Sequence, residues 1–136
     1  MNMRRFIPFA APALPVLLAG CWLPALLTTG INLTESSDGN AIITNVGTQI
    51  TVTLASNATT GYRWEHTELD TLVVENTGQT YVPPASTDLV GAGGSERWEF
   101  TARAAGTTTL TLEYRRPNEP EGTEAENTFL VNVTVQ

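Results

Sequence analysis

The sequence predicts an all-β domain of about seven or eight short strands. From about residue 28 onward, Thr, Val, Leu and Asn dominate, apolar and polar residues alternate in several windows, and turn-forming residues recur at short intervals. Helical periodicity is absent. Because each strand has one apolar and one polar face, two sheets packed face to face are the economical arrangement. We expect an immunoglobulin-like antiparallel β-sandwich, with a small barrel as the alternative fold.

Four windows alternate clearly, and their apolar residues are predicted to face the core. These residues are Ile50, Val52 and Leu54; Trp98, Phe100 and Ala102; Leu110, Leu112 and Tyr114; and Phe129, Val131, Val133 and Val135. Less regular strands are expected over 31–35, 41–45, 62–68 and 72–76. Trp64 falls where a Trp on the third main strand would fill the core.

Length and charge limit the classes of partner. The 136 residues suffice for one domain, which we expect to be monomeric, and the formal net charge is −7, with 7 basic and 14 acidic residues. An acidic surface repels nucleic acid and anionic membrane faces, so no nucleic-acid partner is expected. Cys21 is the single cysteine, so the core must hold without an intramolecular disulfide.

The N-terminus has the pattern of an export signal. Arg4 and Arg5 precede a largely apolar stretch over 6–18, which is followed by Leu18-Ala19-Gly20-Cys21. The last four residues resemble the bacterial lipobox, in which the Cys thiol is lipidated and becomes the first residue of the mature chain. An uncleaved membrane helix is the alternative, which three prolines in the apolar stretch disfavour; an ordinary buried thiol at the cysteine is another.

This pattern predicts three segments. Residues 1–20 would be a lipoprotein signal peptide, 21–29 a lipidated linker and 30–136 the folded domain. The lipid on Cys21 would hold the exported protein in the cell envelope, at a bacterial outer membrane or cell surface.

Enzymatic activity has little support in the residues. The chain has one His, His66, which lies within a strand pattern, and Cys21 is assigned to the lipid. A Ser-His-Asp triad or a Cys nucleophile would need that His, and the sequence has no two His or Cys at metal-site spacing. Glu124 and Glu126 lie in an acidic loop typical of a solvated edge. We expect neither a metal nor another cofactor.

Three loops stand out between the predicted strands. The first loop is Ser56-Asn57-Ala58-Thr59-Thr60-Gly61-Tyr62-Arg63-Trp64, the second is Leu89-Val90-Gly91-Ala92-Gly93-Gly94, and the third is Tyr114-Arg115-Arg116-Pro117-Asn118-Glu119-Pro120. Sandwich domains place binding residues on the loops at their ends. Each loop also has a simpler interpretation when it is taken alone. The first could be only a hairpin turn, and the second could be a flexible tip without a partner. The arginines of the third could simply balance the charge of nearby glutamates.

In order and content, the three loops resemble the inhibitory loops of the chagasin family. That family's first loop reads Asn-Pro-Thr-Thr-Gly, then an aromatic residue and, two residues on, a Trp. Its second loop has a Gly-x-Gly-Gly core, and its third has Arg-Pro followed usually by Trp. The resemblance covers about residues 30–136. This sequence has Ala58 in place of the family's Pro and Asn118 in place of its Trp.

The resemblance implies a reversible, non-covalent inhibitor of papain-like cysteine proteases that occludes the active-site cleft with these loops. Thr59-Thr60-Gly61 would lie over the catalytic Cys and His, the second loop along the unprimed side, and Arg116 with Pro117 on the other flank. The implied protease-binding residues are Asn57, Thr59, Thr60, Gly61, Val90, Gly91, Ala92, Gly93, Gly94, Arg116, Pro117 and Asn118. Tyr62 and Trp64 are assigned to the core beneath the first loop.

A lipid-anchored, immunoglobulin-like binding or assembly module without protease inhibition is the alternative function. It would share the fold and the anchor. The two functions differ in their dependence on Thr59-Thr60-Gly61.

Overall fold

The computed structural model describes residues 30–86, 88 and 90–136. In these ranges the chain forms eight strands: β1 (Gly30–Leu33), β2 (Ala41–Thr44), β3 (Gln49–Ser56), β4 (Arg63–Glu68), β5 (Val74–Val82), β6 (Gly94–Ala102), β7 (Gly106–Arg115) and β8 (Asn127–Val135). Two short 3-10 helices cover Glu35–Ser37 and Ala58–Thr60. The predicted signal peptide, lipobox and linker lie outside the described residues.

The strands form two four-stranded sheets, in the orders β1-β3-β6-β5 and β2-β8-β7-β4. This confirms the predicted all-β sandwich, with one correction to its antiparallel pairing. Each sheet has a parallel pair at one edge, β1 with β3 and β2 with β8. Parallel neighbours need a crossover rather than a tight turn. Here β2, in the opposite sheet, lies between β1 and β3 along the chain and supplies that crossover.

The four clearly alternating windows are the central strands of the two sheets. Their predicted inward residues are buried, with Phe100 and Phe129 among the largest fully buried side chains, while Tyr114 at the loop end is half-buried. Trp64 is 3% exposed, as expected for a core residue. Without a disulfide, this apolar contact between the sheets is the main stabilising contribution.

The less regular strands differ in length from their predictions. β1 ends at Leu33, because the chain turns into the 3-10 helix that follows. β5 continues to Val82, well beyond the predicted 72–76. A bulge between Asn76 and Gly78 shifts its register on β6. A bulge reverses the inside–outside alternation, which is why the second half of β5 does not read as a strand.

The three loops lie at one end of the sandwich. Ser56 pairs with Gly94, and Arg63 pairs with Arg115, so the ends of β3 and β7 and the starts of β4 and β6 all lie at this end. Gly30 pairs with Gln49, at the opposite end of β3. The described chain therefore begins at the end remote from the loops. None of the helices in the described ranges is long and apolar enough to cross a membrane.

Candidate functional site

The first loop is braced by the side chain of Asn57. This residue caps the 3-10 helix, with its Oδ1 accepting from the Thr59 N–H at 3.1 Å and from Thr59 Oγ1 at 2.6 Å. Thr60 Oγ1 donates to the Asn57 carbonyl at 2.7 Å. Both threonine hydroxyl protons are therefore used inside the loop, and the exposed Thr59 oxygen keeps lone pairs that can accept from a partner.

Gly61 makes the sharp turn that ends the helix. Its φ of 77° and ψ of 0° lie in the left-handed region, where a residue with a Cβ is strained. A side chain added here would meet no other atom within 4 Å. Glycine is thus required by the backbone conformation and not by crowding within the domain.

Tyr62, Trp64 and Tyr114 form an aromatic platform under the first loop. The Tyr114 ring lies 5.4 Å from that of Tyr62 and 5.1 Å from that of Trp64, between centroids. The Tyr114 hydroxyl accepts from the Asn57 N–H at 2.9 Å. Trp64 is buried as predicted, whereas Tyr62 is only half-buried and covers the platform on its outer side.

The second loop is attached to the first through Asn57. The Asn57 Nδ2 donates to the Gly91 carbonyl at 3.0 Å. Val90, next to this contact, is fully exposed, and Ala92 is half-buried. One asparagine therefore caps the first loop with its oxygen and holds the second with its nitrogen.

One of the predicted contact glycines, Gly94, has a role in packing. Gly94 is the first residue of β6, and a Cβ there would lie 2.2 Å from the Val82 carbonyl oxygen. A Cβ on Gly93 would lie 3.4 Å from the Ser56 carbonyl oxygen. The missing side chain at Gly94 lets the start of β6 lie close against β5, whereas Gly93 has room for a methyl group.

The third loop contacts the platform through Arg116. Its guanidinium lies 4.5 Å from the centre of the Tyr62 ring, in cation–π contact. Arg115 forms an ion pair with Glu113 instead, and within the described ranges neither arginine pairs with the acidic residues beyond Pro120. Arg116 is thus a brace between the third loop and the first. Pro117 and Asn118 follow it as exposed residues.

An open side cleft of about 360 Å³ lies between the first loop, the third loop and β5. Ala58, Gly61 and Pro117 line it from the loops, and Gln79 and Tyr81 from β5. The position that holds Pro in the family thus borders the cleft with only a methyl group.

The histidine on which a catalytic triad would depend is a strand residue. His66 is exposed on β4, with its ring edge-on to Trp98 at 5.8 Å between centroids. The described residues contain no group of three His, Cys, Asp or Glu side chains that could hold a metal ion. The loop end presents exposed backbone and small side chains, which suit contact with another macromolecule.

The structure brings all three predicted motifs together, and it adds residues that sequence reasoning missed. Tyr114, predicted as an inward strand residue and the start of the third loop, is also the hydrogen-bond partner of the first loop. Glu96 lies buried under that loop. The sequence does contain a sign of Glu96: it alternates in phase with the buried Trp98 and Phe100, and it is the one charged residue on that face of β6.

The fold and the site define a β-sandwich that presents three connected loops at one end, the arrangement of a loop-based binding protein. The chain belongs to the chagasin family. The family model described as chagasin family peptidase inhibitor I42 matches residues 44–133, well over half of the chain. The members are protease inhibitors and not enzymes.

Two relatives agree with this membership, and a third solved structure shares the fold. Chagasin of Trypanosoma cruzi is 37% identical over 92 residues, which cover 62% of this chain and 80% of that protein. The cysteine protease inhibitor EhICP2 from Entamoeba histolytica has a TM-score of 0.72 at 25% identity, over 79% of this chain and 96% of that one. PbICP-C, solved in complex with falcipain-2, shares the fold with a TM-score of 0.53 at 20% identity, over 79% of this chain and 90% of that one.

Proposed function

We propose that this protein is a reversible, non-covalent inhibitor of papain-like cysteine proteases and that its three loops occlude the active-site cleft. The observation that carries the proposal is the connection between the loops. Asn57 joins the first loop to Gly91, and Arg116 joins the third loop to Tyr62. Three family motifs that are distant in sequence therefore form one edge of fixed shape.

The first loop has suitable chemistry for the centre of the cleft. Papain-like proteases hold a thiolate next to an imidazolium, which is a hydrogen-bond donor. Thr59 is exposed, and its hydroxyl proton is donated to Asn57, so its oxygen is available as an acceptor. The loop can thus accept a hydrogen bond from the imidazolium while it lies over the catalytic pair.

Prior ordering of the loops favours binding. A loop that is already in its bound conformation loses little entropy on association, and pre-organised inhibitors move their interface backbone little. The cap at Asn57 and the platform below the loop provide that order. The second and third loops then extend the contact on either side of Thr59.

The test is a titration of papain with residues 28–136, with a serine protease as a specificity control. We expect competitive inhibition of papain alone, at sub-micromolar concentration. Thr59→Arg should abolish it, because a long charged side chain cannot enter beside the catalytic pair. Thr107→Arg is the matched control, because Thr107 is exposed at the opposite end of the sandwich.

The outcomes separate the two functions. Inhibition that survives Thr59→Arg, or no inhibition of papain and its relatives, would move the domain to the class of binding or assembly modules. Retained inhibition in Thr107→Arg with loss in Thr59→Arg would place the contact at the first loop.

We also propose that the protein is an exported lipoprotein anchored through Cys21. The lipobox-like sequence supports this, and so does the fold, because the described chain begins at Gly30, at the end remote from the loops. An anchor on that side leaves the loops free to meet a protease. Cys21→Ala should release the protein into the soluble fraction, and persistent membrane association of the variant would contradict the anchor.

A further inference from the structure

A carboxylate lies buried under the first loop. Glu96 is 4% exposed and belongs to the inward face of β6, next to the core residue Trp98. Placing a carboxylate in an apolar interior is unfavourable unless hydrogen bonds satisfy its oxygens. The hydrogen bonds of the Glu96 carboxylate therefore indicate its structural role.

Three neutral groups donate to this carboxylate. Oε1 accepts from Ser56 Oγ at 2.7 Å and from the Trp64 N–H at 3.2 Å. Oε2 accepts from the same Trp64 N–H at 3.3 Å and from Gln79 Nε2 at 3.0 Å. Within the described ranges, no arginine forms an ion pair with Glu96.

The two main partners are the ends of the first loop. Ser56 is the last residue of β3, and Trp64 is the second residue of β4. These strands belong to different sheets, so no backbone ladder joins them. Two links that are not backbone ladders therefore join the loop ends: the Trp64 Nε1–H donates to the Ala55 carbonyl at 2.9 Å, and the Glu96 carboxylate binds both Ser56 and Trp64.

We infer that Glu96 is a positioning residue for the protease-binding edge: it fixes the separation of the two ends of the first loop, and Gln79 orients its carboxylate from β5. The inference rests on the proposed function for its effect on inhibition. The bracing of the loop itself can be measured without a protease. Glu96 would act through Ser56 and Trp64 and would not touch the enzyme.

The main experiment compares Glu96→Ala with the parent in the full chain, by amide hydrogen exchange and by the association rate with papain. We expect the Trp64 amide and the 57–61 segment to exchange about tenfold faster, because a buried donor loses its charged acceptor. The association rate should fall by about tenfold as well, because fewer molecules hold the binding conformation. Core amides of β7 and β8 should keep their protection.

Glu99→Ala is the matched control. Glu99 lies on the same strand, but its carboxylate forms a surface ion pair with Arg97. Neither loop exchange nor association should change in this variant. Glu96→Gln should keep most of the parent's loop protection and association rate. Its amide oxygen can accept from Trp64, and its amide nitrogen can donate to the Ser56 hydroxyl.

Two smaller changes keep the inference testable if Glu96→Ala fails to fold. Ser56→Ala removes one loop end from the carboxylate, and Gln79→Ala removes the group that orients it. Each should speed exchange in 57–64 by about threefold, less than loss of the whole carboxylate, because each removes one hydrogen bond of the set, with the rest of the domain unchanged.

Unchanged loop exchange in Glu96→Ala, or in both smaller variants, would overturn the inference. So would an equal loss of protection across the whole domain, which would make Glu96 a general stabiliser. Faster loop exchange in a protein whose parent does not inhibit papain would support the bracing role and reject the proposed function, so the two failures are distinguishable.

Discussion

The first loop is ordered by its own cap and by the aromatic platform beneath it, whereas the second loop is attached through a contact with the first. The third loop adds such a contact to a backbone turn of its own, in which the Glu119 N–H donates to the Arg116 carbonyl at 3.2 Å. Asn57 caps the 3-10 helix, and the Tyr114 hydroxyl binds its backbone from below. By contrast, the contacts that join the flanking loops to it are the bond from Asn57 to Gly91 and the stacking of Arg116 on Tyr62. Val90, near the tip of the second loop, is fully exposed.

This difference separates residues that shape the edge from residues that are free to touch a partner. The polar atoms of Asn57 are used within the domain, and so is the aromatic face of Tyr62 under Arg116. Thr59, Val90 and Asn118 remain exposed. Changes to the shaping residues should affect several loops at once, whereas changes to the exposed ones should affect only the contact.

Gly61→Val should have the largest effect, because it breaks the conformation of the ordered loop. The left-handed region costs a residue with a Cβ about 1–2 kcal/mol, and a β-branched one is a genuine outlier there. We expect papain inhibition to weaken by about 10- to 30-fold, measured as an inhibition constant. Gly61→Asn should lose much less, because Asn tolerates this region and the space is open. Equal inhibition by the Val variant and the parent would show that this turn is not needed.

Asn118→Trp should strengthen the third loop, which lacks the aromatic residue usual in the family. An aromatic anchor in a protein interface contributes more than about 1 kcal/mol, so we expect roughly tenfold tighter inhibition of papain. Thr107→Trp, at an exposed site at the end opposite the loops, controls for non-specific adhesion. Equal gains in both variants would argue against a contact at position 118.

Asn57→Ala should loosen the first loop and free the second. Loss of a helix N-cap costs about 1 kcal/mol, so inhibition should weaken by about fivefold and the urea midpoint of unfolding should fall. Asn57→Asp separates the two roles, because it keeps the capping oxygen and removes the donor to Gly91. We expect the Asp variant to retain stability and to lose part of the inhibition. If both variants matched the parent, the bond between the loops would be unimportant.

Ala58→Pro should have the smallest effect and make the first loop still more ordered. Among the described residues, no hydrogen bond uses the Ala58 N–H, and Asn57 has an extended conformation that suits a residue before Pro. A compatible Pro stabilises by about 0.4–1 kcal/mol, which predicts a higher urea midpoint and about two- to fivefold tighter inhibition. Ala58→Gly should shift both in the opposite direction. A destabilised Pro variant would show that the loop needs another conformation at this position.

Much of the fold was predictable because the core strands obey a simple rule. Period-two alternation places Ile50, Phe100, Leu112 and Val131 on buried faces, and each is buried. The parallel edge pairs were not predictable, because alternation is the same for both pairing directions. The full length of β5 was hidden by its bulge, which reverses the alternation at Gly78.

For the site, the order of the motifs in the sequence was enough to identify the family and the three loops, because motifs such as Thr-Thr-Gly can be recognised without the structure. Only the tertiary structure showed which residues hold the loops in place. It placed Asn57, Tyr114 and Glu96 as braces, because hydrogen bonds between residues 40 or more positions apart depend on which strands become neighbours. Local sequence fixes which side chains a loop contains, and only the packing of two sheets fixes what those side chains can reach.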